Sequence, residues 1–337
     1  MASPDTPVIA PSTILRHQSA VFPAMAMLAG MHLDLFTPLK DGPLTGAEIA
    51  ASIGVSASKL MPLLYALVVA ELLTVEDDRF GNTPEAAAYL VDGHPSYLRG
   101  RNEFLADIWQ ALLKTAATIR AGAPQHKHDF YAMSDEEMGA FFRGQHLGSL
   151  TAGEYLARMH DFSRFGQLLD VGGGSGGIAI GACRVCPTLM GTVADLPRIV
   201  PITRQFLEEA RVVDRVSAVI GDMIAAPLEK NYDVVIMRNL IQVLSLEDAG
   251  AVLRNVAQSL KPGGPVFIVG GMLDDSRLSP PVLAGQTLVF INIYDDGLIY
   301  TEGEYRALLA DADFVDVVVQ QAGMPGGQAL ISARKPE

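Results

Sequence analysis

The chain has 337 residues, 49 % of them apolar, enough for two domains with sizeable cores. A formal charge of −13 and a pI of about 4.9 argue against DNA, RNA or an anionic membrane as a main partner. No run reaches the ~18 uninterrupted apolar residues of a membrane span, and two cysteines exclude a disulfide framework, so a cytoplasmic protein is expected. The opening "MASPDTPVIAPSTILRHQ" lacks a basic segment followed by an apolar one, so no secretory leader is expected. A mean hydropathy of +0.25 favours an oligomer that buries more surface than one chain can.

Residues 12–40 place apolar and small residues at helical spacing, with Ser12 or Thr13 as a cap and boundaries at Pro23 and at Thr37-Pro38. The apolar surface is too large for a solvent-facing helix and reads as an interface arm. Residues 45–83 read as helix, Gly-containing turn, second helix from near Ser56, then a strand-turn-strand wing. The second helix carries only Lys59 as a basic residue, whereas a DNA reader needs several, so packing or dimerisation is expected.

Residues 97–160 read as irregular helix with a Pro/Gly-containing loop at 120–137. "HKH" at 126–128 suggests a metal, but no third ligand stands near it, and a loop with no metal is expected. The pattern then changes, placing domains at 1–100, 101–160 (a helical linker that contributes to a substrate pocket) and 161–337. Strands are predicted at 167–172, 190–195, 216–221, 232–237, 265–270, 314–320 and 328–333. "QAGMPGG" is too short for a parallel crossover, so the final strand is antiparallel in a mostly parallel α/β sheet.

"LLDVGGGSGGIAI" at 168–180 is a strand running into a glycine-rich turn that opens a helix, suited to a close ligand approach. Gly172, Gly174 and Gly177 satisfy the dinucleotide fingerprint, a weak signal alone. Three features decide against a nicotinamide cofactor: Asp170 two residues before the glycines, "VADLP" with Asp195 suited to ribose hydroxyls, and "GDM" with Asp222 and Met223 suited to adenine. "LKPGG" at 260–264 leads into the fifth strand.

At these residues the chain resembles the S-adenosylmethionine-dependent methyltransferases. With its winged helix it resembles their caffeate-type and bacterial small-molecule branch. The resemblance implies a Rossmann-like seven-stranded sheet of order 3-2-1-4-5-7-6 and an intertwined homodimer. It implies contacts to S-adenosyl-L-methionine, released as S-adenosyl-L-homocysteine, at Asp170, Gly172, Gly174, Asp195, Leu196, Asp222, Met223 and Arg238. In most such enzymes a histidine base follows an Arg-Asn pair. Here Arg238 and Asn239 are followed by Gln242 at that position, and the two glutamates that steer the base fall on Gly270 and Ile299. All seven histidines lie at or before residue 160.

A phenol has a pKa of about 10, and a general base contributes about 10²–10⁴ in rate. A nucleophile without a proton to lose needs no such group, so the missing base is information about the substrate. Aligned with the family's F-N-x-x-M helix, Phe142 matches the Phe, Arg143 replaces Asn and His146 replaces Met; Tyr131 and Tyr294 are further pocket candidates. Arg143 and His146 suggest an acidic, non-aromatic small molecule. Together these features look like the base-free bacterial methylthiohydroxybutyrate S-methyltransferases that lead to dimethylsulfoniopropionate. The alternatives are a C-methyltransferase (or O-/N-methyltransferase) of a secondary-metabolite or pigment pathway, and an S-adenosylmethionine-binding enzyme that does not methylate.

Overall fold

The computed structural model describes residues 9–98, 100–228, 231–324 and 327–337. The chain divides into two compact units, Met1–Leu105 and Ala106–Glu337. The helices after residue 105 group with the sheet.

In the first unit, α1 (Ser12–Ser19) and α2 (Val21–His32) precede the winged helix-turn-helix. The latter comprises β1 (Leu44–Thr45), α3 (Gly46–Ser52), α4 (Ala57–Val69), β2 (Leu73–Glu76) and β3 (Arg79–Asn82), followed by α5 (Pro84–Tyr89). A reciprocal cap between Thr45 and Glu48 starts α3. Its core holds Leu35, Phe36, Ile49, Leu64, Leu67 and Phe80. The expected Ser12 or Thr13 cap is absent: Pro11 stands at the cap with no side-chain bond. Pro23 sits in the first turn of α2, where a missing N–H costs nothing. No residue of α1 is buried, and Ile14 and Phe22 are 63 % and 67 % exposed. Among the described residues no single helix is long and apolar enough to cross a membrane.

The second unit follows α6 (Arg101–Leu113) with α7 (Thr115–Ala121), α8 (Asp135–Met159), β4 (Gln167–Val171), α9 (Gly177–Val185), β5 (Met190–Asp195), α10 (Val200–Glu209) and β6 (Val216–Ile220). Then come β7 (Val234–Arg238), α11 (Leu246–Ser259), β8 (Pro265–Gly270), α12 (Pro281–Ile293), α13 (Glu302–Asp311), β9 (Val315–Gln320) and β10 (Ala329–Arg334). The sheet order is β6-β5-β4-β7-β8-β10-β9, the expected 3-2-1-4-5-7-6, with β10 antiparallel to both neighbours. β4, β7 and β8 are buried almost throughout, as parallel strands covered on both faces must be. Cys183 and Cys186 are buried free thiols, as expected of packed side chains.

Helix α8 lies on α9 at backbone distance. A Cβ added to Gly153 would stand 2.2 Å from the Ile178 carbonyl oxygen, and one added to Gly181 would stand 2.2 Å from that of Leu150. This contact seats α8 on the helix that leaves the glycine turn. Neither carbonyl has room to retreat within a helix, so Gly153→Ala should destabilise the second unit by about 1–3 kcal/mol. The check is the shift in denaturation midpoint; an unchanged midpoint refutes the close-packing account.

Candidate functional site

The glycine turn, Asp195, Asp222 and Gln242 lie at the carboxyl ends of β4, β5, β6 and β7, where such sheets bind ligands. After β4 the chain turns through Gly172, Gly174 and Gly176, all left-handed, with φ of 61°, 54° and 68°. Asp195 pins this turn: its Oδ2 accepts the Gly174 N–H and its Oδ1 the Leu196 N–H, both at 2.8 Å. Thr203 Oγ1 donates to the Gly174 carbonyl at 2.6 Å, a pin with no signal in the sequence. Asp170 lies beneath the turn, fully buried. Its Oδ2 accepts the Ala179 N–H at 3.3 Å, and its Oδ1 has no partner among the described residues. Burial pushes the Asp170 carboxyl up to about 7 and that of Asp195 up to about 6. Asp222 is exposed after β6, whereas Met223 is buried in the main core.

Arg238 ends β7. It donates to Ser149 Oγ on α8 at 2.9 Å and to Gln328 Oε1 at 3.1 Å, so this expected cofactor contact ties helix to sheet. Asn239 follows in the left-handed region (φ 57°), which Asn tolerates, and its Oδ1 accepts from Gln328 Nε2 at 2.9 Å. Gln242 is 5 % exposed. Its Oε1 accepts the Gly271 N–H at 2.7 Å and stands 2.6 Å from where a Cβ on Gly270 would be. Ile299 packs against Gly271, its side chain 3.2 Å from where a Cβ there would be. The three positions vacated by the usual base and its two partners thus converge in space.

Two substrate expectations are corrected. Arg143 is already paired: Nη1 and Nη2 donate to the Glu209 carboxylate at 2.6 and 2.8 Å, and the guanidinium lies 4.1 Å over the Phe206 ring. His146 Nδ1 bonds Ser175 Oγ in the glycine turn at 2.9 Å, and its ring stacks on Phe206 at 4.7 Å. Burial, aided by Arg143, pushes its imidazole down to about 4, leaving it neutral at pH 7. His146 braces the glycine turn, and Arg143 ties α8 to α10.

Tyr131 is 66 % exposed. Phe142 lies against the turn, 2.5 Å from where a Cβ on Gly174 would be, and stacks on Phe130 at 5.8 Å. Tyr294 joins an apolar cluster of Leu273, Phe290 and Ile299, beside Val243. Burial holds its hydroxyl pKa well above the usual range.

Residues 114–315 match the family model of the O-methyltransferase domain, and residues 15–92 that of the O-methyltransferase dimerisation domain. The chain belongs to the O-methyltransferase family. It is 30 % identical over 345 residues to the tetracenomycin polyketide synthesis 8-O-methyl transferase TcmO of Streptomyces glaucescens, covering 99 % of each chain. It is 28 % identical over 346 residues to the N,N-dimethyltransferase OxyT of Streptomyces rimosus, again covering 99 % of each. Human N-acetylserotonin methyltransferase, solved in complex with SAM, shares the fold at a TM-score of 0.85, with 23 % identity and 100 % of both chains covered.

The methyltransferase is thus an enzyme that uses S-adenosylmethionine. Its residues fit that group: the buried Asp195 carboxylate has about four lone-pair directions, and the two backbone N–H groups leave room for a vicinal diol. Asp222 offers a further exposed acceptor. Asp195→Ala should weaken S-adenosylmethionine binding by about 1.5–3 kcal/mol, the loss of charge-assisted hydrogen bonds. Calorimetric titration measures this, and an unchanged affinity removes Asp195 from the site.

Proposed function

We propose that this methyltransferase works without a general base. Its acceptor atom attacks through a lone pair or π bond that carries no proton to be removed first. The orientation of Gln242 carries this reading. Its Oε1 is engaged by the Gly271 N–H, so the nitrogen end of the amide, which makes no hydrogen bond among the described residues, is a donor. A donor amide can orient an acceptor oxygen or nitrogen of the substrate, but it cannot take a proton.

When bound, S-adenosylmethionine supplies the electrophilic methyl group on its sulfonium. The chain supplies position: the pinned glycine turn on one side and the apolar cluster around Phe290, Tyr294 and Ile299 on the other. Correct placement is worth about 7–11 kcal/mol of a barrier, enough for a reaction that needs no base. The acceptor favoured by this lining is an amine nitrogen or electron-rich carbon on a planar secondary-metabolite scaffold. The relatives' names include a nitrogen acceptor, in the N,N-dimethyltransferase OxyT, and a carbon acceptor, in an L-tyrosine C(3)-methyltransferase, which agree with this reading, and an oxygen acceptor, in the 8-O-methyl transferase TcmO, which does not. S-methylation of a thioether carboxylic acid shares the logic of the missing base. It loses Arg143 and His146 as carboxylate partners, because Glu209 and Ser175 occupy them, and is the second reading.

Gln242→His should lower kcat/KM on the true substrate, and the wild-type profile should show no limb near pH 6–7 from a catalytic base. His146, neutral down to about 4, does not titrate in that window; Asp170 and Asp195, pushed up to about 7 and about 6, do, and a limb from them is told apart because it appears equally in the pH dependence of S-adenosylmethionine binding. A panel of amines, carbon acceptors, thioether acids and phenols, scored by S-adenosylhomocysteine release, finds the substrate. Acceleration by Gln242→His, or a phenol as the best substrate, refutes the proposal.

The same chain is proposed to act as a homodimer. α1 and α2 expose Ile14, Leu15, Phe22 and Met25 in one chain, an apolar strip that a second copy of the dimerisation domain would cover. Light scattering should show a dimer for wild type and a monomer for the double substitution Ile14→Glu, Phe22→Glu. An active wild-type monomer at micromolar concentration contradicts this.

A further inference from the structure

The HKH segment is not the unattached loop that its sequence suggests. The His126 and His128 N–H groups donate to the Asn292 and Ile293 carbonyls at the end of α12, at 3.1 and 2.9 Å. This β-like pairing fixes alternate residues, and both rings reach one carboxylate, Asp107 on α6. His126 Nε2 lies 2.8 Å from Asp107 Oδ1, and His128 Nε2 lies 2.7 Å from Oδ2. The third group lies 19 residues before His126, which is why the sequence hides it. Asn292, which presents one of the carbonyls, is itself held by Thr118 Oγ1 at 2.6 Å and donates to Thr115 Oγ1 at 2.9 Å.

We propose that Asp107, His126 and His128 form a binding site for a divalent transition-metal ion of the zinc class, with two imidazole nitrogens and one carboxylate as ligands. The decisive feature is His128. Its side chain is 2 % exposed, and among the described residues neither ring nitrogen makes a well-aligned hydrogen bond. Nε2 stands close to Oδ2 but off the axis that an N–H would need. A neutral ring nitrogen's lone pair and a carboxylate oxygen repel at that distance; a proton on Nε2 turns the contact into an attractive but poorly aligned ion pair, and a metal ion relieves it along the lone-pair directions. A buried imidazole without a partner is costly, and a metal ion removes the cost.

The ligand set suits zinc, which takes His nitrogen and Asp oxygen at about 2.0–2.2 Å and keeps an open fourth position when only three protein groups bind it. Tetrahedral ligands at that radius lie about 3.3 Å apart, so Asp107 must draw back by about half an ångström from each ring. Its side chain is 37 % exposed and free to do so. The bound ion would staple α6, the 122–134 loop and the end of α12. His128 also meets Phe141 and Tyr294 edge-on at 5.2 and 6.2 Å, which puts the site beside the apolar cluster that holds Tyr294. As a general base His128 is unsuited, because its free Nδ1 is sealed from any substrate.

The test uses the untagged full-length protein after treatment with chelator. Zinc sulfate is titrated by calorimetry, and cobalt chloride is followed by its visible absorption. Wild type should take up one saturable equivalent per chain at micromolar protein, with the intense cobalt bands of a low-coordinate site. His126→Ala and Asp107→Asn, each half-exposed enough to fold, should weaken uptake about 100-fold or more, while Lys127→Ala should not. Circular dichroism verifies that each variant is folded. Absence of saturable uptake, or uptake undiminished in both variants, overturns the site. In the first case the cluster is a hydrogen-bonded clamp only; in the second the ion sits on other surface histidines.

Discussion

The Asp195 carboxylate accepts the Gly174 and Leu196 N–H groups at 2.8 Å each, and the carboxyl end of the methyltransferase sheet is organised around that pair of bonds. They hold a glycine turn that is left-handed at three positions, so its backbone can approach a ligand closely. The turn in turn dictates what packs behind it. Phe142 occupies the space that a Cβ on Gly174 would need, and Ser175 is bonded by His146. Because α8 sits on α9 with no side chain between them at Gly153 and Gly181, the helix that carries Phe142, Arg143 and His146 has little freedom. Burial raises the pKa of Asp195 and Asp170 together, a cost carried at a site built to receive hydrogen-bond donors.

The acceptor side follows a different constraint. Where the family places a histidine and two acids, this chain places an amide whose oxygen is tied to the Gly271 N–H, a glycine and an isoleucine. A side chain at Gly270 would collide with the Gln242 oxygen. The three positions are therefore coupled by packing, and one cannot be restored without the others. The chemistry we propose for such a site is positioning and desolvation rather than proton transfer.

The helical segment 101–160 and its loop supply the least expected geometry. Arg143, read from its residue type as a substrate clamp, is a bidentate partner of Glu209 lying over Phe206. The histidines of 126–128, read as an unattached loop, meet Asp107. In both cases the deciding partner is remote in sequence, on α10 in one case and α6 in the other, and no periodicity or spacing announces it.

The strand order and the missing base were legible only through the resemblance to the methyltransferase family. The sequence by itself determined the antiparallel last strand, the winged helix and the glycine turn with its acids. These depend on local signals: apolar runs of strand length, glycine where φ is positive, and a connection too short for a parallel crossover. The tertiary structure alone decided which polar groups were already partnered. Thr203 and Gln328 as pins, Glu209 as the counter-ion of Arg143, the direction of the Gln242 amide and the Asp107 cluster all come from contacts between residues far apart in the chain. A hydrogen bond or ion pair depends on tenths of an ångström and on angle, and a linear pattern of residue types carries neither.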